Sequence, residues 1–92
     1  MEKKQNWIIG VGGSIFNDVW VSRVYGTKEQ VKQHMLNLIT AEKAACPEKW
    51  KHGTERMEDI QETVPGHFYA YACFSDSRTD ISAELEKEPV EL

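Results

Sequence analysis

The amino-acid sequence predicts an α+β domain in which one long helix packs across one face of a small single-layer antiparallel sheet of four to five strands. Three observations carry that expectation. Residues 27–46 open on a helix-capping signature and then place apolar side chains at helical spacing. Residues 67–75, HFYAYACFS, alternate strictly between two faces, as a strand covered on one side must. Residues 6–13 and 19–26 are rich in β-branched and aromatic residues and are separated by turn formers.

The first strand, NWIIGVGG, sets Trp7, Ile9 and Val11 on one face. The second, VWVSRVYG, runs from Val19 to Gly26. Between them Gly12, Gly13, Asn17 and Asp18 supply the turn, and a loop through all four closes a hairpin near Asn17-Asp18. Thr27 and Gln30 then form a capping box, in which each side chain satisfies a backbone N–H that the first helical turn leaves free. Val31, Met35, Leu38 and Ile39 follow on one helical face, with Glu42 and Lys43 turned outward, and Pro47 stops the helix. At 1.5 Å per residue its roughly 19 residues span about 28 Å, enough to cross a small sheet.

Residues 46–66 admit two readings. Met57, Ile60 and Val64 suit one side of a short helix, while EDIQETV before Pro65-Gly66 suits an edge strand entering a tight turn. In the next strand Phe68, Ala70, Ala72 and Phe74 share one face, and Tyr69, Tyr71 and Cys73 share the other. Residues 76–79 turn the chain, and DISAELE returns with Ile81, Ala83 and Leu85 inward. The element order is β-β-α-(β or α)-β-β in a single domain over residues 1–92, with residues 1–5 and 87–92 as frayed termini.

Composition bounds the function. A chain of 92 residues with 40% hydrophobic and 28% charged residues has the balance of a folded domain. No apolar run approaches the roughly 18 residues of a membrane span. Lys3 and Lys4 precede an apolar stretch that Gly10 interrupts too early for a signal sequence, so a cytosolic protein without a membrane partner is expected. Cys46 and Cys73 show no CxxC spacing and are expected as reduced thiols, with Cys73 a small core residue.

The motifs of catalysis fail on spacing. GVGGS at residues 10–14 lacks the Lys-Ser/Thr pair and the following helix of a phosphate loop, so its glycines are read as turn residues. Cys46, His52, His67 and Cys73 form no ligand pair at metal-binding spacing, and His34 stands alone on the helix. His67 lies six residues from Cys73 on one strand, about 20 Å away at the strand rise and beyond reach as its base. No catalytic residue, cofactor or metal is therefore expected. A sequence pI of about 5.3 argues against direct nucleic-acid binding despite Lys28, Lys32 and Lys43 on the helix.

What remains is recognition. A single helix covers one face of a sheet, so the tyrosine row is left open, and tyrosine offers apolar area with a hydrated hydroxyl. The sequence therefore points to a non-enzymatic accessory or regulatory protein that binds another protein, with Tyr69, Tyr71, Trp20 and Trp50 as the candidate contact surface. A small enzyme subunit is a further alternative. So is an acidic nucleic-acid mimic that occupies a DNA-binding protein. Residues 1–54 hold eight Lys/Arg and five Asp/Glu, whereas residues 55–92 hold three and ten. A mimic would gather Glu55, Glu58, Asp59, Glu62, Glu84, Glu86 and Glu88 into one negative surface.

Overall fold

A computed structural model of the chain describes residues 3–13, 20–87 and 91. Within them lie the strands β1 (Gln5–Gly12), β2 (Trp20–Gly26), β3 (Trp50–Gly53), β4 (Gln61–Val64), β5 (His67–Phe74) and β6 (Arg78–Leu85), and the helix α1 (Lys28–Ala45). All strand pairs are antiparallel, and the sheet runs β2-β1-β6-β5-β3, with β4 also pairing to β5. The fold is thus the expected α+β arrangement, one antiparallel sheet with a single helix against it. Its six strands exceed the expected four to five. The expected hairpin closure at Asn17-Asp18, and Val19, fall outside the described residues, as does most of the 87–92 tail. Gln5, expected in a frayed terminus, is the first residue of β1 and pairs with Gly26.

The extra strand comes from the segment with two readings, which contains parts of both. Met57–Asp59 forms a single 3-10 turn, and Gln61–Val64 pairs with the first half of β5. β3 pairs with the second half of β5, so two four-residue strands lie end to end along one edge. Thr54 bridges part of the interval between them. Its N–H donates to the Tyr71 carbonyl at 2.8 Å, and its hydroxyl accepts from the Tyr71 N–H at 3.2 Å. A buried threonine thereby satisfies a strand edge that would otherwise stand unpaired.

The covered face follows the alternation. Trp7, Ile9 and Val11 of β1, Phe68, Ala70, Ala72 and Phe74 of β5, and Ile81 and Ala83 of β6 are all buried against Val31, Met35 and Ile39 of α1. Leu38 and Leu85 pack at the margin, half-buried. Ala70, Ala72 and Ala83 leave room for the helix to approach, while the Trp7 and Phe68 rings stack at 5.4 Å beneath its N-terminal half. The Trp7 indole N–H donates to the Gly26 carbonyl at 3.2 Å, so its one polar atom is not orphaned. Thr27 and Gln30 make the expected capping box in both directions, and Cys46 ends the helix just before Pro47.

Candidate functional site

Directly opposed residues in a sheet point to the same side, so the registers define the face that α1 leaves open. Its rows read Val21-Gly10-Ser82-Tyr69-Gln61, then Gly12-Asp80-Tyr71, then Arg78-Cys73-His52. Tyr69, Tyr71 and Cys73 are half-buried there by their neighbours. Cys73 is accordingly not the core residue expected; its parity on β5 sets it opposite Arg78.

Around the tyrosines stands a polar-aromatic cluster. The Tyr69 and Tyr71 rings stack at 6.3 Å with 22° between planes. Arg78 lays its guanidinium over the Tyr71 ring at 4.5 Å, and His52 meets that ring edge-on at 6.0 Å. Arg78 Nε donates to Asp80 Oδ1 at 2.9 Å. The Tyr69 hydroxyl donates to the same carboxylate oxygen and accepts from Arg78 Nη2. Partial burial, and then the hydrogen bond to Asp80, raise the Tyr69 pKa above its ordinary value of 10.0, so the phenol is neutral at physiological pH. The hydrogen bonds to Asp80 and Tyr69 likewise hold Arg78 more firmly protonated. These contacts hold both rings in place.

Beside the cluster the face sinks. Gly10 and Gly12 carry no side chain at the open positions of β1, and Val21, Tyr69, Asp80 and Ser82 surround them. The resulting depression has a volume of about 440 Å³ and is broad rather than enclosed.

Of the other two expected contact residues, Trp20 borders this depression although its strand position faces the helix side, and Trp50 lies away from it. Trp50 opposes Phe74 and Trp20 opposes Val11, which puts both on the helix side of the sheet. Trp50 packs edge-on against Phe74 at 5.7 Å, with Lys43 above its ring. Trp20, the first residue of β2, remains 39% exposed. Strand register decided both placements, and register is not written in the local composition. Gly10 and Gly12, read from the sequence as turn residues, instead lie within β1 opposite Ser82 and Asp80, and Arg78 and Asp80 were not among the expected site residues. Their period-two spacing on β1 and β6 was the available signal.

The described residues of the expected acidic surface each lie near a basic or ionisable side chain. Glu55 meets Lys43 at 3.3 Å, Glu62 meets Lys28 at 3.2 Å, and Glu86 meets Arg23 at 2.9 Å. Glu58 and Asp59 flank Arg56, at 4.0 and 3.6 Å, and Glu84 lies 3.4 Å from His67. Glu62 opposes Phe68 on the helix side, Glu84 opposes His67 on the open side, and Glu88 lies outside the described residues. Two of these carboxylates also serve the backbone. Asp59 accepts the N–H groups of Glu55 and Arg56, and Glu62 accepts that of Gly66. Those bonds, joined by Arg56 and Lys28 respectively, lower both pKa values.

Among the described residues no three His, Cys, Asp or Glu side chains come together as a metal-binding group, and no helix is long and apolar enough to cross a membrane. No protein-family model matches the chain, and no curated protein or solved structure is significantly similar to it.

Proposed function

We propose that this chain is a non-enzymatic accessory protein that binds another protein through the open face of its sheet, centred on Tyr69 and Tyr71. The observation that carries this reading is the pre-ordered tyrosine pair, stacked, half-buried and locked by Arg78 and Asp80, beside a depression floored by glycine. Aromatic rings held in one conformation, next to a recess for a complementary side chain, are what a protein interface uses as anchors. The adjacent Arg78 and Asp80 supply a charged rim of both signs, which favours a protein surface over a uniformly charged polymer. The nucleic-acid mimic has less to draw on, because the described members of its acidic set each lie beside a cationic or ionisable partner, and two of them, Glu62 and Glu84, lie on opposite faces. Affinity capture from the native cytosol with mass spectrometry tests the reading. A protein enriched in stoichiometric amount supports it, and a small molecule retained through purification overturns it.

A further inference from the structure

The sheet has two unlike edges. The β3/β4 edge is made of two four-residue strands with irregular registers and carries Lys51, His52, Gln61 and Glu62, features by which proteins discourage strand addition. The β2 edge has seven residues in unbroken register, no proline, and Arg23 as its one charge. Among the described residues the exposed large apolar side chains are Trp20, Val21, Tyr25 and Val64, and the first three belong to β2.

Backbone direction shows what that edge presents. The Glu86 N–H donates to the Asn6 carbonyl, so Asn6 and the other even-numbered residues of β1 aim their backbone groups at β6. The odd-numbered residues of β1 therefore bond to β2, through Trp20, Ser22, Val24 and Gly26. The Leu85 N–H, directed to Gly66, agrees with this phase. It follows that the N–H and C=O groups of Val21, Arg23 and Tyr25 point away from the sheet, and their side chains lie on the open face.

We propose that β2 is a self-pairing edge, through which two copies of the chain join antiparallel about a two-fold axis at Arg23 into one continuous sheet. The sequence of β2 is self-complementary in that register. Val21 opposes Tyr25 of the second copy on both sides of the axis, a β-branched–aromatic pair of the kind that stabilises antiparallel sheets. The three outward residues exchange about six backbone hydrogen bonds with their counterparts. At the axis the two Arg23 side chains face each other, and each lies 2.9 Å from its own Glu86, which offsets the repulsion of two like charges placed directly opposite. Such an isologous contact closes on itself. It sets both helices on one side and merges both open faces on the other.

Sedimentation equilibrium against concentration tests this pairing, independently of whether a foreign partner exists. An edge contact predicts an average mass that rises with concentration from 10.6 kDa toward twice that value. A chain that stays at 10.6 kDa overturns the proposal and leaves the edge to a strand of another protein. The discriminating variant is Arg23→Pro, because the N–H it removes points outward and proline is tolerated where an edge N–H faces solvent. It should melt cooperatively and sediment as a monomer. A folded Arg23→Pro chain that still dimerises would show that copies meet elsewhere, and the proposal fails. If that variant does not fold, Val21→Lys with Tyr25→Lys decides: a folded monomer supports the pairing and a folded dimer refutes it.

Discussion

Truncating Met35 tests the packing that separates covered from open face. Met35 is fully buried near the middle of α1, flanked one turn away on each side by buried Val31 and Ile39. Met35→Ala deletes three heavy atoms from a contact that a rigid sheet cannot close over, and such core truncations cost about 2–5 kcal/mol. For a chain of 92 residues the whole stability is about 5–14 kcal/mol, so the loss is a large fraction of it. At about 4–8 °C per kcal/mol for a domain of this size, a loss of about 3 kcal/mol lowers the melting temperature by about 12–24 °C. Met35→Leu, which keeps the volume, should cost less than about 1.5 kcal/mol. Thermal and urea unfolding followed by far-ultraviolet circular dichroism read both. A melting temperature that moves by less than about 5 °C for Met35→Ala would show that α1 does not bury this face, and the assignment of the tyrosine row to the open face would fall with it.

Other outcomes follow from the same structure. Gly53 has φ +152, and a Cβ built there lies 2.5 Å from the Tyr71 carbonyl oxygen and 2.8 Å from Ala72 Cα, so Gly53→Ala should cost about 1–3 kcal/mol in chemical denaturation; an unchanged midpoint would contradict the close approach of β3 to β5. Thr27→Ala removes the side-chain acceptor of the Gln30 N–H and should cost about 1 kcal/mol by the same assay. Glu62 and Asp59 have folded pKa values held below their ordinary 4.5 and 3.8. Their contribution is therefore full above those values and is lost as the pH falls through the lower, folded ones. The melting temperature should decline on acidification below about pH 4.5, and Glu62→Gln with Asp59→Asn should flatten that decline; an identical acid limb in the variant would refute it.

Much of the fold was legible because local and global signals agree. The capping box at Thr27, the helical spacing of Val31, Met35 and Ile39, and the period-two alternation of β1 and β5 all reappear as burial. Pro65-Gly66 closes the β4–β5 hairpin with Gly66 at φ +81, a conformation glycine adopts freely. The segment 47–64 was legible only in part: β4 is the edge strand that EDIQETV before Pro65-Gly66 allowed, whereas β3 has no pattern of its own and exists by pairing with the exposed edge of β5. The candidate site was half legible. Alternation placed Tyr69 and Tyr71 on the open face, but the faces of Trp20 and Trp50 depend on which residue of the neighbouring strand each opposes, and a shift of one residue reverses the answer. The charge asymmetry could not be assigned from the sequence: Asp59 and Glu62 also accept backbone N–H groups in the turns that flank β4, a local duty that a count of carboxylates does not reveal.

The measurement that bears most directly on the open face as a contact surface is the double substitution Tyr69→Ser with Tyr71→Ser, read by melting temperature and by affinity for the captured partner. On the open face the pair contributes ring stacking and the Arg78 contact, together about 1–2 kcal/mol, so the melting temperature should fall by roughly 5–15 °C with cooperativity retained. Loss of two interface anchors should weaken binding by at least 2 kcal/mol, about 30-fold. Partner affinity within about threefold of the unsubstituted chain, in a variant that melts as expected, would contradict the account.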